Sequence, residues 1–503
     1  MNGRTGGVGR RTFLQRSAGC IPAWWLTSSL AANQERRAEE APYRLGANRH
    51  VFIDDFLVAQ KENVSLTVNP PQRKELVLVA DRPWERNGIA SYCNVLWDPG
   101  TKEYRLYYVP IHLDSSPPFR LAMATSKDGV RWTKPDLGAV EWRGSRQNNI
   151  VIDGQREGTV MIDPNAPPDK RYAFLSSEGN LKTRLFTSPD GIHWTRHPVL
   201  ISEHHSDSQI ATFWDDQLGK YVHYPRVIHR GRATGRVETS RMDEVWPEQI
   251  PVVLSADDQD PPGVDLYTNS AQKYAPAPNV YLAFPTPYYH YDHAERTYLN
   301  EPTLRRGGKT NDGTIDTQLA VSRDGRKWIR YRTPYVPLYR HEELDLLVVM
   351  VFPGLLYRET HIDQYFAGYA FTHGDTQARV RLQGRQLGGI FRLEQRIDGF
   401  VSADFAYTGG VLTTAPFVFE GKFLTLNVNT SAAGEARVAV LDEAGKALPG
   451  RGIDDCKIIN GDHVAARVAW KGPDDLAAVA GRPIRLRFQM RGAKLYAFQF
   501  TKS

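Results

Sequence analysis

A short phrase with the pattern Ser-x-Asp-Gly-x-x-Trp occurs three times in this sequence of 503 residues. The copies are SKDGVRW at 126–132, SPDGIHW at 188–194 and SRDGRKW at 322–328. An Asp side chain can accept hydrogen bonds from backbone N–H groups of its own turn, and Gly adopts dihedral angles that other residues avoid. Because one site needs each catalytic role filled once, we interpret Asp128, Asp190 and Asp324 as turn residues.

The repeated phrase belongs to a larger repeat of predicted hairpins. NVLWDPGTKEYRLYYVP at 94–110 and IATFWDDQLGKYVHYPR at 210–226 are closely similar, and residues 159–177 and 269–285 are looser versions. FRLEQRIDGFVS at 391–402 resembles a fifth unit. Strand units that cannot bury their faces alone stack around an axis. The repeats therefore predict an all-β protein in which residues 45–405 form a five-bladed β-propeller.

The texture of the sequence changes beyond about residue 405. Short segments of alternating hydrophobicity are broken by Gly, Asn and Asp over roughly a hundred residues, which is typical of a β-sandwich. We therefore predict a β-sandwich at 406–503. Its last strand should be buried through Leu495, Tyr496, Phe498 and Phe500.

The first 33 residues predict a targeting segment rather than part of the fold. Arg10 and Arg11 precede Phe13 and Leu14, and a modest apolar stretch runs on to Ala32, which resembles a twin-arginine export signal. No later run of 18 apolar residues predicts a membrane-spanning helix in the mature chain. The sequence thus predicts a periplasmic or secreted bacterial protein.

Composition narrows the classes of partner. The net charge of +6 is spread along the chain, without a long Lys/Arg run after the N-terminal segment, which argues against nucleic acid. Cys20 is expected to leave with the signal. Cys93 and Cys456 are far apart in sequence and predict two unpaired thiols. Neither a cofactor nor a metal site is predicted, and the oligomeric state stays open.

Six stretches of the mature chain match a known group of proteins. They are VFIDDFLV at 51–58, DRPWE at 81–85, MIDPNAPPDKRY at 161–172, HSDSQIATFWD at 205–215, DLYTN at 265–269 and LYAFQF at 495–500. Through these stretches the chain resembles the five-bladed propeller glycoside hydrolases related to families 32 and 43, especially bacterial family 32-like proteins with a C-terminal β-sandwich.

The motifs by which family 32 enzymes are known are not present. There are three such motifs: Trp-Met-Asn-Asp-Pro-Asn-Gly, Arg-Asp-Pro and Glu-Cys. The first of them contains the nucleophile. Asp163, Pro164 and Asn165 echo part of the first motif, but they lie in a proline-rich turn. We interpret them as a hairpin turn and transfer no nucleophile to Asp163.

The site is therefore predicted from geometry. The innermost strands of a propeller converge on the axial cavity, so acidic residues at their starts are candidates for the two carboxylates of a glycosidase. The predicted catalytic residues are Asp207, Glu85 and Asp265, with Asp316 in reserve. The predicted substrate-binding residues are His205, Gln209, Tyr267, Asn94 and Asp312. His290 and His293 could contact substrate or bind a metal, with a surface loop as the favoured alternative.

These observations predict an exported glycoside hydrolase that cleaves a poly- or oligosaccharide with an acid and a base in the axial pocket. The sugar, the linkage and the stereochemical outcome stay open. One alternative is a non-catalytic carbohydrate-binding propeller, whose pocket would hold aromatics and amides without a carboxylate pair. Another is a structural surface protein, whose axial cavity would be plugged by apolar side chains.

Overall fold

The computed structural model describes residues 41–154, 158–178, 182–204, 206–290, 312–375 and 387–502. These residues are built almost entirely from β-strands, interrupted by the short 3-10 helices Pro83–Glu85, Pro168–Lys170 and Ala477–Val479. Within the same ranges, no helix is long and apolar enough to cross a membrane. The predicted all-β class is confirmed, as expected for a chain rich in aromatic residues and turn formers.

The first strands of the described chain divide between two sheets. β1, β2, β3 and β4 join the strands near the C-terminus, whereas β5 pairs with a later strand at Gly388–Arg396. Their bounds are β1 (Tyr43–Gly46), β2 (His50–Val51), β3 (Val58–Glu62), β4 (Val64–Val68) and β5 (Gln72–Leu78).

Two four-stranded antiparallel sheets follow, each with its strands in chain order. The first contains β6 (Ile89–Asp98), β7 (Glu103–Pro110), β8 (Arg120–Ser126) and β9 (Ile150–Asp153). The second contains β10 (Gly158–Ile162), β11 (Tyr172–Glu178), β12 (Lys182–Ser188) and β13 (Thr195–Ser202). The hairpins predicted at 94–110 and 159–177 form the first two strands of these sheets.

The next stretch forms two small sheets whose strands interleave along the chain. One contains β14 (Ala211–Asp215), β15 (Lys220–Tyr224) and β18 (Val237–Thr239), and the other contains β16 (Arg226–Ile228), β17 (Arg232–Gly235) and β19 (Val252–Leu254). Pro225 separates β15 from β16 and has no N–H for a strand ladder. We call residues 226–235 the arginine hairpin, because β16 and β17 each begin with an arginine.

The following strands build a sheet and an extension beside it. The strands are β20 (Asp265–Leu266), β21 (Gln272–Lys273), β22 (Tyr281–Ala283), β23 (Pro287–His290), β24 (Gly313–Ile315), β25 (Thr317–Ser322), β26 (Ile329–Val336), β27 (Tyr339–His341) and β28 (Leu344–Leu346). A four-stranded sheet has the order β21-β22-β25-β26, and β27 pairs with β28. Three other strands do not belong to this four-stranded sheet: β20, β23 and β24 extend the next sheet instead.

That next sheet is closed by a strand from the beginning of the described chain. Its own strands are β29 (Val348–Val351), β30 (Leu356–Tyr357), β31 (His361–Tyr369) and β32 (Gly388–Arg396). The order is β20-β23-β24-β29-β31-β32-β5, with β30 paired to β31. β5 pairs antiparallel with β32, with Leu78 opposite Ile390.

The first strands of the successive sheets contact one another. The side chain of Asn94 on β6 bonds to both the N–H and the C=O of Val160 on β10, at 3.0 and 2.9 Å. β10 contacts β14, and β14 contacts β21. Beyond β29, the carbonyl of Pro353 accepts a hydrogen bond from the N–H of Val95 at 3.0 Å, which returns the series of contacts to β6.

The C-terminal strands form a ten-stranded sheet together with β1 to β4. They are β33 (Val401–Phe405), β34 (Gly410–Thr414), β35 (Phe417–Phe419), β36 (Phe423–Asp442), β37 (Asp462–Arg467) and β38 (Ile484–Thr501). β38 is the hub, since β2, β33, β34, β35 and β36 all pair with it.

Two features of this sheet bear on the sequence predictions. Leu495, Tyr496, Phe498 and Phe500 are buried, as predicted for the last strand. Residues 43–68, most of which lie in the range predicted for the propeller, pair with strands of this sheet, and Leu45, Leu57 and Val58 share its apolar core.

The three Ser-x-Asp-Gly-x-x-Trp turns share one internal geometry. Oδ1 of Asp128 accepts from the N–H groups of Val130 and Arg131, both at 2.8 Å, and these backbone bonds lower its pKa to about 2. Gly129 has φ +79°, and Nε1 of Trp132 donates to its carbonyl at 3.1 Å. The same bonds to backbone N–H groups recur at Asp190 and Asp324, as predicted.

Each of these turns is also docked on another sheet by an arginine and a tyrosine, which sequence reasoning did not predict. The two side chains donate to the carbonyls of the Asp and the Gly. The pairs are Arg358 and Tyr365 at the first turn, Arg105 and Tyr107 at the second, and Arg236 and Tyr224 at the third.

Candidate functional site

Tyr267, one residue beyond β20, lies between two guanidinium groups. Cζ of Arg226 is 4.6 Å from the centroid of its ring, and Cζ of Arg232 is 5.3 Å from it. Both arginines come from the arginine hairpin. At the tip of this hairpin Gly231 has φ +96°, and a Cβ there would lie 2.7 Å from Cβ of Asp265. Glycine is thus needed for the hairpin to approach Asp265 so closely.

Each of the two arginines is paired with a predicted catalytic aspartate. Nη1 of the buried Arg226 donates to Oδ1 of Asp207, whose side chain is 34% exposed. Nη1 of Arg232 donates to Oδ2 of the buried Asp265 at 2.8 Å. The structure therefore brings Asp207, Asp265 and Tyr267 together through two arginines that contact the same ring.

Asp265 is the more deeply buried of the two carboxylates. Burial raises its pKa, but a hydrogen bond with His290 and the charge of Arg232 outweigh burial and hold the pKa below its usual value. Nε2 of His290 lies 3.3 Å from Oδ2 of Asp265. The other oxygen, Oδ1, is buried and has no hydrogen-bond partner among the described residues. Asp265 is therefore ionised at neutral pH.

Aromatic rings and histidines form one side of the site. Oη of Tyr92, on β6, lies 2.7 Å from Oη of Tyr267. The ring of His373 is 4.5 Å from that of Tyr267 and 4.8 Å from that of Tyr288. The ring of His290 is 3.9 Å from that of Tyr288. Rings of this kind, with a few polar groups among them, are typical of sites for small polar ligands.

A cavity of about 680 Å³ opens beside Asp265 and His290. Its volume falls in the range of ligand-binding pockets. Among the described residues its lining consists of Arg230, Gly231, Arg232, Ala256, Asp257, Asp258, Asp260, Pro261, Pro262, Gly263, Val264, Asp265 and His290. Asp207 and Tyr267 are not among these residues, and of the two arginines that contact the Tyr267 ring only Arg232 lines the cavity.

Glu85, which the sequence also predicts to be catalytic, has a set of contacts of its own in the described part of the chain. Its carboxylate is buried and accepts from Nζ of Lys134 at 2.7 Å and from Oη of Tyr108 at 2.6 Å. It also accepts from the backbone N–H groups of Asp81 and Arg82. The 3-10 helix Pro83–Glu85 turns this side chain towards β7, where the carboxylate forms a saturated internal ion pair.

Asn94 and Gln209, predicted to bind substrate, are instead bound to the backbone. Asn94 is paired with Val160, as described above. Nε2 of the buried Gln209 donates to the carbonyl of Cys93 at 2.6 Å. Their amides therefore connect the first strands of neighbouring sheets.

Three further predicted residues differ in their placement. Oδ1 of Asp312 accepts from the N–H groups of Gly313 and Gly374, at 2.7 and 2.9 Å, and so braces two loops. Asp316 lies half-buried between β24 and β25. Among the described residues, neither lines the cavity. His205 lies outside the described residues, as does His293.

Sequence reasoning missed the arginine hairpin. Four arginines occur within eleven residues that begin at the last residue of a repeat hairpin: Arg226, Arg230, Arg232 and Arg236. Such a local density of arginine in a connection that carries extra strands was the available signal. Tyr92 and His373 have no comparable signal, since single aromatic residues and histidines occur throughout the chain.

One group of side chains has the residue types of a metal site. The ligand atoms of His361, Asp363 and Glu394 lie within 4.8 Å of one another. Arg392 and Arg358, however, already pair with Asp363 at 2.6 and 2.9 Å. These cations compensate the carboxylate, so we interpret the group as an ion-pair network on β31 and β32.

No family model matches the sequence, and no curated protein matches it. The structure is similar, with probability 1.00, to several solved structures. A glycosyl hydrolase from Bacteroides ovatus has 15% identity and a TM-score of 0.41, over 65% of this chain and 94% of that chain. An α-L-arabinofuranosidase from Podospora anserina has 9% identity and a TM-score of 0.42, over 65% and 97%. An exo-β-1,3-galactanase from Phanerochaete chrysosporium has 9% identity and a TM-score of 0.35, over 87% and 100%.

Proposed function

We propose that the successive sheets are the blades of a five-bladed β-propeller. The sheets that begin with β6, β10, β14 and β21 supply four blades, and β29, β31, β32 and β5 supply the fifth. The contacts that run from β6 to β21 and return from Pro353 to Val95 support this closure. We further propose that the ten-stranded sheet, with its own apolar core, is bent into a β-sandwich.

We propose that the protein is a glycoside hydrolase with its active site at Tyr267. The observation that carries this proposal is the joining of Asp207 and Asp265 through Arg226, Arg232 and the Tyr267 ring, beside a cavity of about 680 Å³. Glycoside hydrolysis needs an ionised carboxylate and a proton donor on either side of the scissile bond. The site supplies both kinds of group.

Asp207 is the group that we assign to the ionised role. The positive charge of Arg226 favours the carboxylate form of Asp207, whose side chain is partly open to solvent. In this role it attacks the anomeric carbon or removes a proton from the attacking water. The proton for the leaving oxygen comes from the pair formed by Asp265 and His290. The rings of Tyr267 and Tyr288 offer apolar faces to the sugar.

The site favours an enzyme over the two alternatives. A purely carbohydrate-binding propeller would offer amides and aromatics, yet Asn94 and Gln209 are bound to the backbone while carboxylates lie at Tyr267. A structural protein would have an apolar plug, but charged groups surround this ring.

Export of the folded protein belongs to the same proposal, since a polysaccharide is too large to enter the cell. Arg10 and Arg11 support the twin-arginine route. A fusion of residues 1–45 to a reporter enzyme should reach the periplasm only where that route works. Export by a strain that lacks the route would contradict this assignment.

The proposal is tested by a screen of plant, algal and microbial glycans with the wild type and Asp207→Asn. We expect the wild type to release reducing ends from at least one glycan, and the variant to lose about 10²–10⁴-fold in kcat. Asp169→Asn, at an exposed aspartate on a turn, is the matched control and should keep full turnover.

Folding must be measured in parallel, because Asp207→Asn leaves Arg226 buried without its counter-charge. Asp207→Glu keeps the charge but moves the carboxylate by one methylene, so it should fold as the wild type does and still lose most turnover. Full turnover by Asp207→Asn would remove Asp207 from catalysis. A wild type that binds glycans and cleaves none would establish the binding alternative.

A further inference from the structure

The carboxylates near Tyr267 are poor proton donors. Asp207 is paired with Arg226, and Asp265 is paired with Arg232. An opposite charge within hydrogen-bond distance favours the ionised form of a carboxyl group. An ionised carboxylate has no proton to give to a leaving oxygen, so the hydrolysis proposed above needs a donor of another kind.

His290 has the position that such a donor requires. It lies on β23, lines the cavity, and is 8% exposed. Its Nε2 is 3.3 Å from Oδ2 of Asp265, the same oxygen that binds Arg232. Its ring packs on Tyr288, with centroids 3.9 Å apart and an interplanar angle of 39°. One ring nitrogen and one ring face are therefore held in place.

We propose that His290 is the proton donor of this site and that Asp265 is its positioning residue. A carboxylate bound to one imidazole nitrogen orients the ring and stabilises the imidazolium form. In this assignment the second ring nitrogen gives its proton to a substrate in the cavity that His290 lines. This inference rests on the proposed function, because it assigns one role within the same hydrolysis.

The proposed step transfers one proton and exchanges one bond at the anomeric carbon. The bond between the anomeric carbon and the glycosidic oxygen breaks, and its electron pair goes to that oxygen, which takes the proton from the imidazolium. The anomeric carbon forms a bond with Asp207 or with a water that gives its proton to Asp207. In the first case a water later releases the sugar and returns a proton to His290. In the second, His290 and Asp207 exchange protons with solvent.

Charged groups on several elements face His290. Asp265 on β20 contacts its ring, and Arg232 on the arginine hairpin pairs with the same carboxylate oxygen. Arg230 and Asp258 form an exposed pair at the lining of the same cavity, and Tyr288 lies beneath the ring. Because the acid must carry a proton, kcat/KM should fall on the alkaline side as His290 becomes neutral.

The test compares leaving groups. We would first find, among panels of 4-nitrophenyl and 2,4-dinitrophenyl glycosides, the sugar that the wild type cleaves. His290→Gln should lower kcat/KM on the natural glycan by about 10²–10⁴-fold, but by less than about tenfold on the 2,4-dinitrophenyl glycoside, whose departure needs no proton. The variant should also lose the alkaline limb of the pH profile. His463→Gln, at an exposed histidine of the C-terminal sheet, is the control and should match the wild type.

Asp265→Asn separates the two members of the pair. If Asp265 only positions His290, this variant should lose less than His290→Gln on the natural glycan and show a shifted alkaline limb. A loss by His290→Gln that is equal for both leaving groups would overturn the proposal, as would full activity. If the 2,4-dinitrophenyl glycoside restored turnover to Asp265→Asn but not to His290→Gln, Asp265 would be the proton donor. A wild type that cleaves no glycoside would refute the proposed function itself.

Melting curves show whether each variant is folded. The alkaline limb of the wild-type pH profile supplies a test that needs no variant.

Discussion

Replacing Asp190 by alanine should lower stability without touching the chemistry. Oδ1 of Asp190 accepts from the N–H groups of Ile192 and His193, each at 2.8 Å, and from Oγ of Ser188 at 3.0 Å. Alanine leaves these groups without this acceptor. The turn lies in the loop between β12 and β13, and no contact connects Asp190 with Tyr267 in the described part of the chain.

The size of the effect follows from where the released groups lie. The backbone of His193 is exposed, so water replaces the lost acceptor there, and Ile192 is only partly buried. The carbonyl of Asp190, which receives Arg105 from another sheet, is unchanged by the substitution. The loss should therefore resemble removal of a side-chain cap, about 0.5–2 kcal/mol of the free energy of unfolding.

Equilibrium unfolding in urea, followed by tryptophan fluorescence, measures this difference, and turnover is measured on the same preparations. Asp169→Ala is the matched control and should change stability by less than about 0.5 kcal/mol. Lost turnover with unchanged unfolding would refute the turn interpretation, since it would mean that Asp190 acts in catalysis. A loss above about 4 kcal/mol would show that the turn bears more than its local bonds.

The remaining predictions concern the same turn and one internal ion pair. Burial raises the pKa of Asp190, but hydrogen bonds from His193 and its neighbours lower it to about 2, against an ordinary 3.8. Its stabilisation is thus present above about pH 4 and lost as pH falls towards 2, so urea midpoints of wild type and Asp190→Ala should converge over that range. Gly191→Ala should cost at least about 1–3 kcal/mol by thermal or urea unfolding, because the new Cβ would meet Oη of Tyr107 while φ is +75°; unchanged stability would contradict the docking. Glu85→Gln should cost about 1–3 kcal/mol, because the buried Lys134 keeps Asp81 but loses the buried Glu85 as a counter-charge, and should keep kcat per folded molecule; a selective loss of kcat would show that Glu85 acts in catalysis.

The all-β class and the turns could be predicted from the sequence because their signals are local. The hairpin at 94–110 and the phrase at 188–194 each fit within about twenty residues, where alternation and turn residues specify a conformation. The pairing of β5 with β32 and of β2 with β38 joins residues more than 300 positions apart. Two-residue and seven-residue strands have no local signal for such distant partners, so neither pairing was predicted.

Members of the candidate site could be predicted only where the position of a residue relative to a first strand indicates that it faces the site. Asp207 and Asp265 precede first strands, and the structure connects both to Tyr267. Glu85 has the same kind of position in the sequence, but Lys134, 49 residues further on, binds its carboxylate inside the protein. Residues that lie far apart in sequence decide whether an acidic group faces a cavity or an internal cation. The sequence alone does not show which residue will contact a given carboxylate.

The central place of β38 has a consequence for the synthesis of the chain. Ribosomes release the N-terminal residues first, and the strands that pair with β38 come from residues 50–51 and 403–442. Until residues 484–501 have been translated, these strands expose unsatisfied backbone edges of the kind that promote aggregation. A truncation before residue 484 would deprive five strands of their shared neighbour, so we expect it to prevent folding of the whole ten-stranded sheet.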